Sequence, residues 1–181
     1  MPFKFTNFEI SGLVMVEPRL FPDDRGFFLE SYKESEFIQG GIPDRFVQDN
    51  HSLSKKNVLR GLHFQRQPRA QGKLVRVIRG NVWDVMVDLR KDSPTYKRWV
   101  GIELSDQNNR MIFIPPGFAH GFIALSEDAH LLYKCTEEYD PLLDAGIRWN
   151  DPDIGVRWPV TEPIVSDKDK LLPFLRELEN I

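Results

Sequence analysis

The heptapeptide Leu59-Arg60-Gly61-Leu62-His63-Phe64-Gln65 sets a cation, a glycine and an imidazole within four residues, inside a run that otherwise reads as a buried strand. An arginine can clamp an anion, a histidine can carry a proton near neutral pH, and apolar neighbours can keep water from both. A single histidine beside aromatics can equally be a hydrogen-bonded core residue, so the rest of the chain must decide.

Other residues of the same chemical kind are spread along the sequence. Strict alternation sets Lys73 in an apolar row with Val75 and Val77, and Asp84 in a row with Val82 and Met86. Such a lysine and aspartate either form a structural ion bridge or point into a cavity where an ammonium can stabilise developing negative charge; the cavity is preferred, because an interior lysine is costly. Tyr133 shares a face with Leu131 and Cys135, and its phenol can pack or donate a proton. A proline-glycine corner, Pro115-Pro116-Gly117, delivers His120 onto the following strand. Asp169 follows the cap-like Ser166, and reads either as a helix-terminus acid or as the carboxylate that orients a histidine. Gln48 and Asn50 face one way and could read a base edge, bind phosphate or stay wet. Glu30 lies between Phe28 and Tyr32 on an expected strand face; with Arg25 it could close one end of a polar site, or it is a solvated edge residue.

These residues need strands to hold them. Residues 3–20 read as one or two edge strands ending at Pro18. The turn Asp23-Asp24-Arg25-Gly26 hands over to a strand reaching Tyr32. Residues 34–40 predict a short helix stopped by Gly40-Gly41-Ile42-Pro43. Strands are expected over 46–52, 99–104, 111–114 and 131–136, and residues 73–79 and 81–89 read as a hairpin turning at Gly80-Asn81. A last amphipathic helix should contain Leu172, Leu175 and Leu178. Many short strands about ten residues apart predict an all-β fold, a cupin-type jelly-roll barrel with short peripheral helices.

Composition narrows the function. A chain of 181 residues, 41% hydrophobic and 28% charged, fits one domain over 1–181 that needs no disulfide staples. One cysteine and an N-terminal stretch interrupted by Lys4 and Glu9 point to a reducing compartment, most simply the cytoplasm. With a net charge of -3 there is no long-range pull toward nucleic acid or an anionic membrane, so neither is expected as a partner, and an anionic ligand would need locally placed Arg and Lys.

Pro115-x-Gly117-x-x-His120 matches the second half of the cupin signature. A metal-binding cupin also needs an early His-x-His, and the corresponding place reads His63-Phe64-Gln65, which predicts no catalytic metal. A barrel whose inward polar groups are His, Lys, Tyr, Asp and Arg suits proton transfer beside a carbonyl: histidine as base, lysine holding an enolate oxygen, tyrosine returning a proton from the opposite face. Nothing suits a Walker loop, a glycine-rich dinucleotide turn or a serine nucleophile.

The segments 24–30, 48–52, 59–65, 71–75, 116–122 and 149–152 together resemble the dTDP-4-dehydrorhamnose 3,5-epimerase family, in its order and over nearly the whole chain. The resemblance implies a homodimer without cofactor. It would invert C3 and C5 of dTDP-4-dehydro-6-deoxy-D-glucose on either side of the C4 ketone, in dTDP-L-rhamnose biosynthesis. It makes His63 the base, Asp169 its partner, Tyr133 the acid and Lys73 the neighbour of the C4 oxygen, with His120 and Asp84 completing the sugar pocket. Arg60 would bind the diphosphate; Arg25, Glu30, Gln48 and Asn50 would hold the nucleotide, some from the partner subunit; Phe21 and Tyr139 would lie against thymine. Lys168 belongs to the implied substrate-binding set, as does Asp144, where the family usually has glutamate. The alternatives are an epimerase of one carbon, a ketoisomerase of a related dTDP-sugar, or a non-catalytic nucleotide-sugar-binding cupin. Strict alternation would turn Arg60 and His63 to opposite faces; a bulge or twist at Gly61 could bring them to one ligand, as could a diphosphate that wraps over the barrel mouth while the sugar lies inside.

Overall fold

The computed structural model describes residues 2–178. Along the chain run β1 (Phe3–Asn7), β2 (Val14–Pro18), β3 (Phe21–Asp23), β4 (Gly26–Phe28), α1 (Glu34–Gln39), β5 (Gln48–Lys55), β6 (Val58–Gln65), β7 (Lys73–Arg79), β8 (Asn81–Asp88), β9 (Trp99–Ser105), β10 (Met111–Ile114), β11 (Phe118–Ala124), β12 (Asp128–Cys135), β13 (Asp144–Gly146), β14 (Ile164–Val165) and α2 (Asp167–Lys170), with a final 3₁₀ turn at Leu175–Glu177. Two sheets carry the fold: β1-β2-β10-β7-β12-β5 in one and β13-β6-β11-β8-β9 in the other, with β14 parallel to β6 at its edge. The chain crosses between the sheets after β5, β6, β7, β9, β10, β11 and β12, with the tightest corners after β5, β7, β10 and β11, which is the jelly-roll expected from the sequence.

One of those corners corrects an expectation. Residues 73–79 and 81–88 are both strands, but they form no hairpin: β7 pairs with β10 and β12, whereas β8 pairs with β9 and β11. The local pattern of alternating strands about Gly-Asn is the same in a hairpin and at a sheet-to-sheet corner. Burial separates the two, since both strands must turn their apolar rows inward from opposite layers. Gly80 makes the corner possible, with φ +78° and no room for a Cβ, which would fall 2.2 Å from the Asp128 carbonyl and the Ser126 hydroxyl.

Val75, Val77, Val82, Met86, Leu104, Ile112 and Leu131 are sealed between the sheets. Full burial of such side chains stabilises by about 1.5–3 kcal/mol each, before conformational entropy is counted. Phe122 and Leu131 belong both to this core and to the wall of a cavity of about 560 Å³, so the packed core is the cavity's floor.

Three boundaries differ from the sequence reading. The strand after Gly26 ends at Phe28, so Phe28, Glu30 and Tyr32 share no face; Tyr32 turns instead onto Phe37 and Phe46, with ring centroids 4.8 and 5.4 Å away. The strand near Gln48 begins later and reaches Lys55. The last amphipathic helix does not form. Pro173 separates the single turn of α2 from the 3₁₀ turn, and Leu175 packs into a core cluster without a continuous helix.

Candidate active site

β6 and β11 lie antiparallel with His63 and His120 as direct register partners, so the two imidazoles enter one cavity side by side. Between that pair and Arg60–Phe122 the register shifts: three steps on β6 answer two on β11, which is a bulge at Gly61. The extra residue brings Arg60 and His63 to the same cavity despite their odd spacing. Only glycine serves there, because φ is +138° and a Cβ would sit 2.5 Å from the Cα of Gly121.

That cavity, about 560 Å³, is lined by Arg60, His63, Lys73, His120 and Tyr133 together with Ser52, Lys168 and Asp169. A neighbouring one of about 330 Å³ shares His63, Lys73, Tyr133 and Lys168, and adds Gln48, Asn50, Tyr139 and Asp144. The walls come from different sheets. β6 and β11 bring the histidines; β5, β7 and β12 bring the amides, Lys73 and Tyr133.

His63 Nε2 lies 2.8 Å from Asp169 Oδ1, leaving Nδ1 as the nitrogen free for another partner. The Gly61 amide donates to the other oxygen of Asp169 at 3.2 Å. Asp169 is placed by the cap of α2: the Ser166 hydroxyl accepts from the Asp169 amide at 3.1 Å. Burial would raise the Asp169 carboxyl, but the hydrogen bonds from His63 and the Gly61 amide hold it below the ordinary carboxylate value. An ionised carboxylate accepts from Nε2–H and fixes the tautomer in which Nδ1 is basic.

On the facing wall, burial lowers the Lys73 ammonium, opposed in part by Cys135, Asp144 and Asp84. Its Nζ stands 5.9 Å from the centre of the Tyr133 ring. Burial also pushes the Tyr133 phenol above its ordinary value, with Cys135 adding to the rise and Arg60 opposing it. Tyr133 therefore keeps its proton until something basic forms beside it, and Lys73 is a readier donor than a solvated lysine.

Asp84 departs from the place expected for it. It is fully buried, lines neither cavity, and stands behind His120 with Oδ1 2.7 Å from Nε2, its other oxygen having no partner among the described residues. It completes the pocket only through the histidine. At the mouth of the smaller cavity Asp144 accepts from Lys168 Nζ and, at 3.2 Å, from the Tyr139 hydroxyl, while the Tyr139 amide donates to Gln48 Oε1 at 2.8 Å. Phe21, Arg25 and Glu30 line neither cavity. Arg25 is bound to Asp23 on the small β3–β4 hairpin, whose Phe21, Phe27 and Phe28 are exposed. Gln65, where a cupin would carry a second histidine, spends its amide on the carbonyls of Arg69 and Glu138 and the amide of Asp140. Among the described residues no group of three or more His, Cys, Asp or Glu could hold a metal ion. Sequence reasoning misses Ser52, on the same strand face as Gln48 and Asn50; extending that alternation by two residues finds it.

The family described as dTDP-4-dehydrorhamnose 3,5-epimerase matches residues 7–177. A protein of that name from Methanothermobacter thermautotrophicus is 53% identical over 178 residues, covering 97% of this chain and 96% of its own length. The crystal structure of dTDP-4-dehydrorhamnose 3,5-epimerase from Bacillus anthracis with TDP and PPi bound superposes with a TM-score of 0.94 at 48% identity, covering 96% of this chain and 99% of that one. The Legionella pneumophila dTDP-6-deoxy-D-glucose-3,5-epimerase, in complex with dTDP-4-keto-L-rhamnose, gives 0.94 at 46% identity, covering 98% and 95%.

Proposed function

The chain belongs to the dTDP-4-dehydrorhamnose 3,5-epimerase family and is an epimerase converting dTDP-4-dehydro-6-deoxy-D-glucose to dTDP-4-dehydro-L-rhamnose; we propose that it divides the proton traffic between two opposed walls, His63 on one and Tyr133 on the other. His63 Nδ1 takes the proton from the carbon beside the C4 ketone, and the C–H electron pair moves into the carbonyl to give an enolate. Lys73 donates to the enolate oxygen. The enolate carbon then takes the Tyr133 proton from the other side, so one C–H bond breaks, one forms, and the configuration inverts. Once His63 has released its proton to solvent and the Tyr133 phenolate has taken one back, the same cycle serves the second of C3 and C5, which flank one carbonyl. The observation that carries this reading is the origin of His63 and Tyr133 in different sheets facing one cavity.

Arg60 holds the diphosphate, and Gln48, Asn50 and Tyr139 hold the nucleotide in the smaller cavity, closed by Asp144 and Lys168. Asp144, shorter than the family's usual glutamate, serves chiefly to fix Lys168 and Tyr139, both of which donate to it. Phe21, Arg25 and Glu30 act from the partner copy of a homodimer; the exposed aromatic hairpin that carries Phe21 and Arg25 supports this. A single cysteine, buried and unpaired, supports a cytoplasmic location. Among the described residues no helix is long and apolar enough to cross a membrane.

The division of labour is tested by incubation with dTDP-4-dehydro-6-deoxy-D-glucose in deuterated water. Wild type should place deuterium at C3 and C5 and invert both. Tyr133→Phe should still wash out substrate protons through His63, yet invert at least about 100-fold more slowly. If Tyr133→Phe stopped exchange altogether, the two walls would not divide the proton transfers between them.

A further inference from the structure

The interior face of β5 is polar along its whole length: Gln48, Asn50, Ser52 and Ser54 alternate with outward residues. Gln48 and Asn50 line the smaller cavity and Ser52 the larger. Ser54 lines neither. It is 2% exposed, and its hydroxyl accepts from Arg60 Nε at 2.9 Å. Arg60 Nη2 donates to the neighbouring Leu53 carbonyl at 3.1 Å.

Arg60 itself is exposed and reaches the larger cavity. Two of the five N–H groups of a guanidinium are thus spent on β5, and three remain for a ligand. An exposed arginine on a flexible stem loses rotamer freedom when it clamps an anion, which weakens binding; a guanidinium already held in place has less to lose. Ser54 is the only side chain that hydrogen-bonds Arg60 among the described residues, and it can do so because its own strand buries it.

We propose that Ser54 is a positioning residue for diphosphate recognition: it fixes the Arg60 guanidinium with its free N–H groups turned to the cavity, so that the anion meets a preformed clamp. The proposal rests on Arg60 as the diphosphate ligand.

The test is a double-mutant cycle with Ser54→Ala and Arg60→Ala, reading kcat and KM with the dTDP-sugar and calorimetric affinity for dTDP and thymidine. Ser54→Ala should raise KM about 5- to 10-fold, weaken dTDP by the same factor, leave kcat within about twofold and leave thymidine binding unchanged. In the Arg60→Ala background Ser54→Ala should add nothing. An equal loss in both backgrounds, no loss in either, or a parallel loss of thymidine binding overturns the proposal. So does a fall in kcat together with a lowered melting temperature, which marks a structural role. If Arg60→Ala alone leaves dTDP affinity intact, the diphosphate role of Arg60 fails, and the role of Ser54 with it.

Discussion

Two His–Asp pairs stand side by side on β6 and β11, alike in composition and in hydrogen-bond length, at 2.8 Å for His63–Asp169 and 2.7 Å for His120–Asp84. They differ in setting. The His63 side chain is 31% exposed and that of His120 only 8%. Both oxygens of Asp169 are engaged, by His63 and the Gly61 amide, whereas Asp84 has one oxygen without a donor among the described residues. Asp169 arrives from the one-turn α2, over a hundred residues away in sequence; Asp84 sits on β8, next to β11 in the same sheet. A proton carrier must meet its substrate and exchange with solvent between turnovers, while an orienting donor need only point. Under the proposed division of labour, the open pair with a satisfied carboxylate is the one suited to transfer, and the sealed pair to holding.

The two histidines should differ most when each is removed. His63→Ala should lower kcat by about 10³-fold or more and abolish deuterium exchange at both carbons. His120→Ala should keep exchange and lose about 10- to 100-fold in kcat/KM, as expected for a lost hydrogen bond to bound substrate. Equal loss of exchange in the two variants would mean that exposure does not separate their roles. The carboxylates give a smaller difference of the same kind. Asp169→Asn should cost about 100-fold in kcat, because an amide no longer enforces the tautomer with a basic Nδ1, and Asp84→Asn about 10-fold, acting through His120. Steady-state rates for the pair sharpen the assignment, and a larger loss in Asp84→Asn would reverse it.

How much of this arrangement is legible in the sequence depends on the range over which each feature is determined. Lys73, His120 and Tyr133 are readable because strand alternation alone sets which residues share a face, and each faces the cavity. The conflict between Arg60 and His63 is readable too, from their odd separation, but the sequence leaves open whether a bulge at Gly61 or a wrapping diphosphate resolves it; the register shift decides for the bulge. The Gly80 corner reads wrongly as a hairpin because a turn's sequence reports φ and not the sheet to which the next strand returns. Asp84 reads as a pocket residue because alternation says which face a residue is on, not how deep; its row lies behind that of His120. The final helix fails on Pro173, whose missing N–H outweighs a plausible leucine spacing.

The smallest expected difference concerns stability. Asp169 is held below its ordinary value of 3.8, opposing burial, by donors that prefer its charged form. A carboxyl depressed in the folded state stabilises the fold fully above its unfolded value, and that stabilisation disappears as pH falls through the folded value. Asp169→Asn, which cannot ionise, should therefore be less stable than wild type by about 1 kcal/mol at pH 7, the usual worth of such hydrogen bonds. The gap should begin to close below about pH 4 and vanish once wild-type Asp169 is protonated. Urea unfolding midpoints at pH 7, 5 and 3 measure it. A gap that stays constant down to the lowest pH would show that the charge of Asp169 contributes nothing to the fold. The open pair would then owe its order to the Ser166 cap and the packing of α2, and the two dyads would differ in exposure alone.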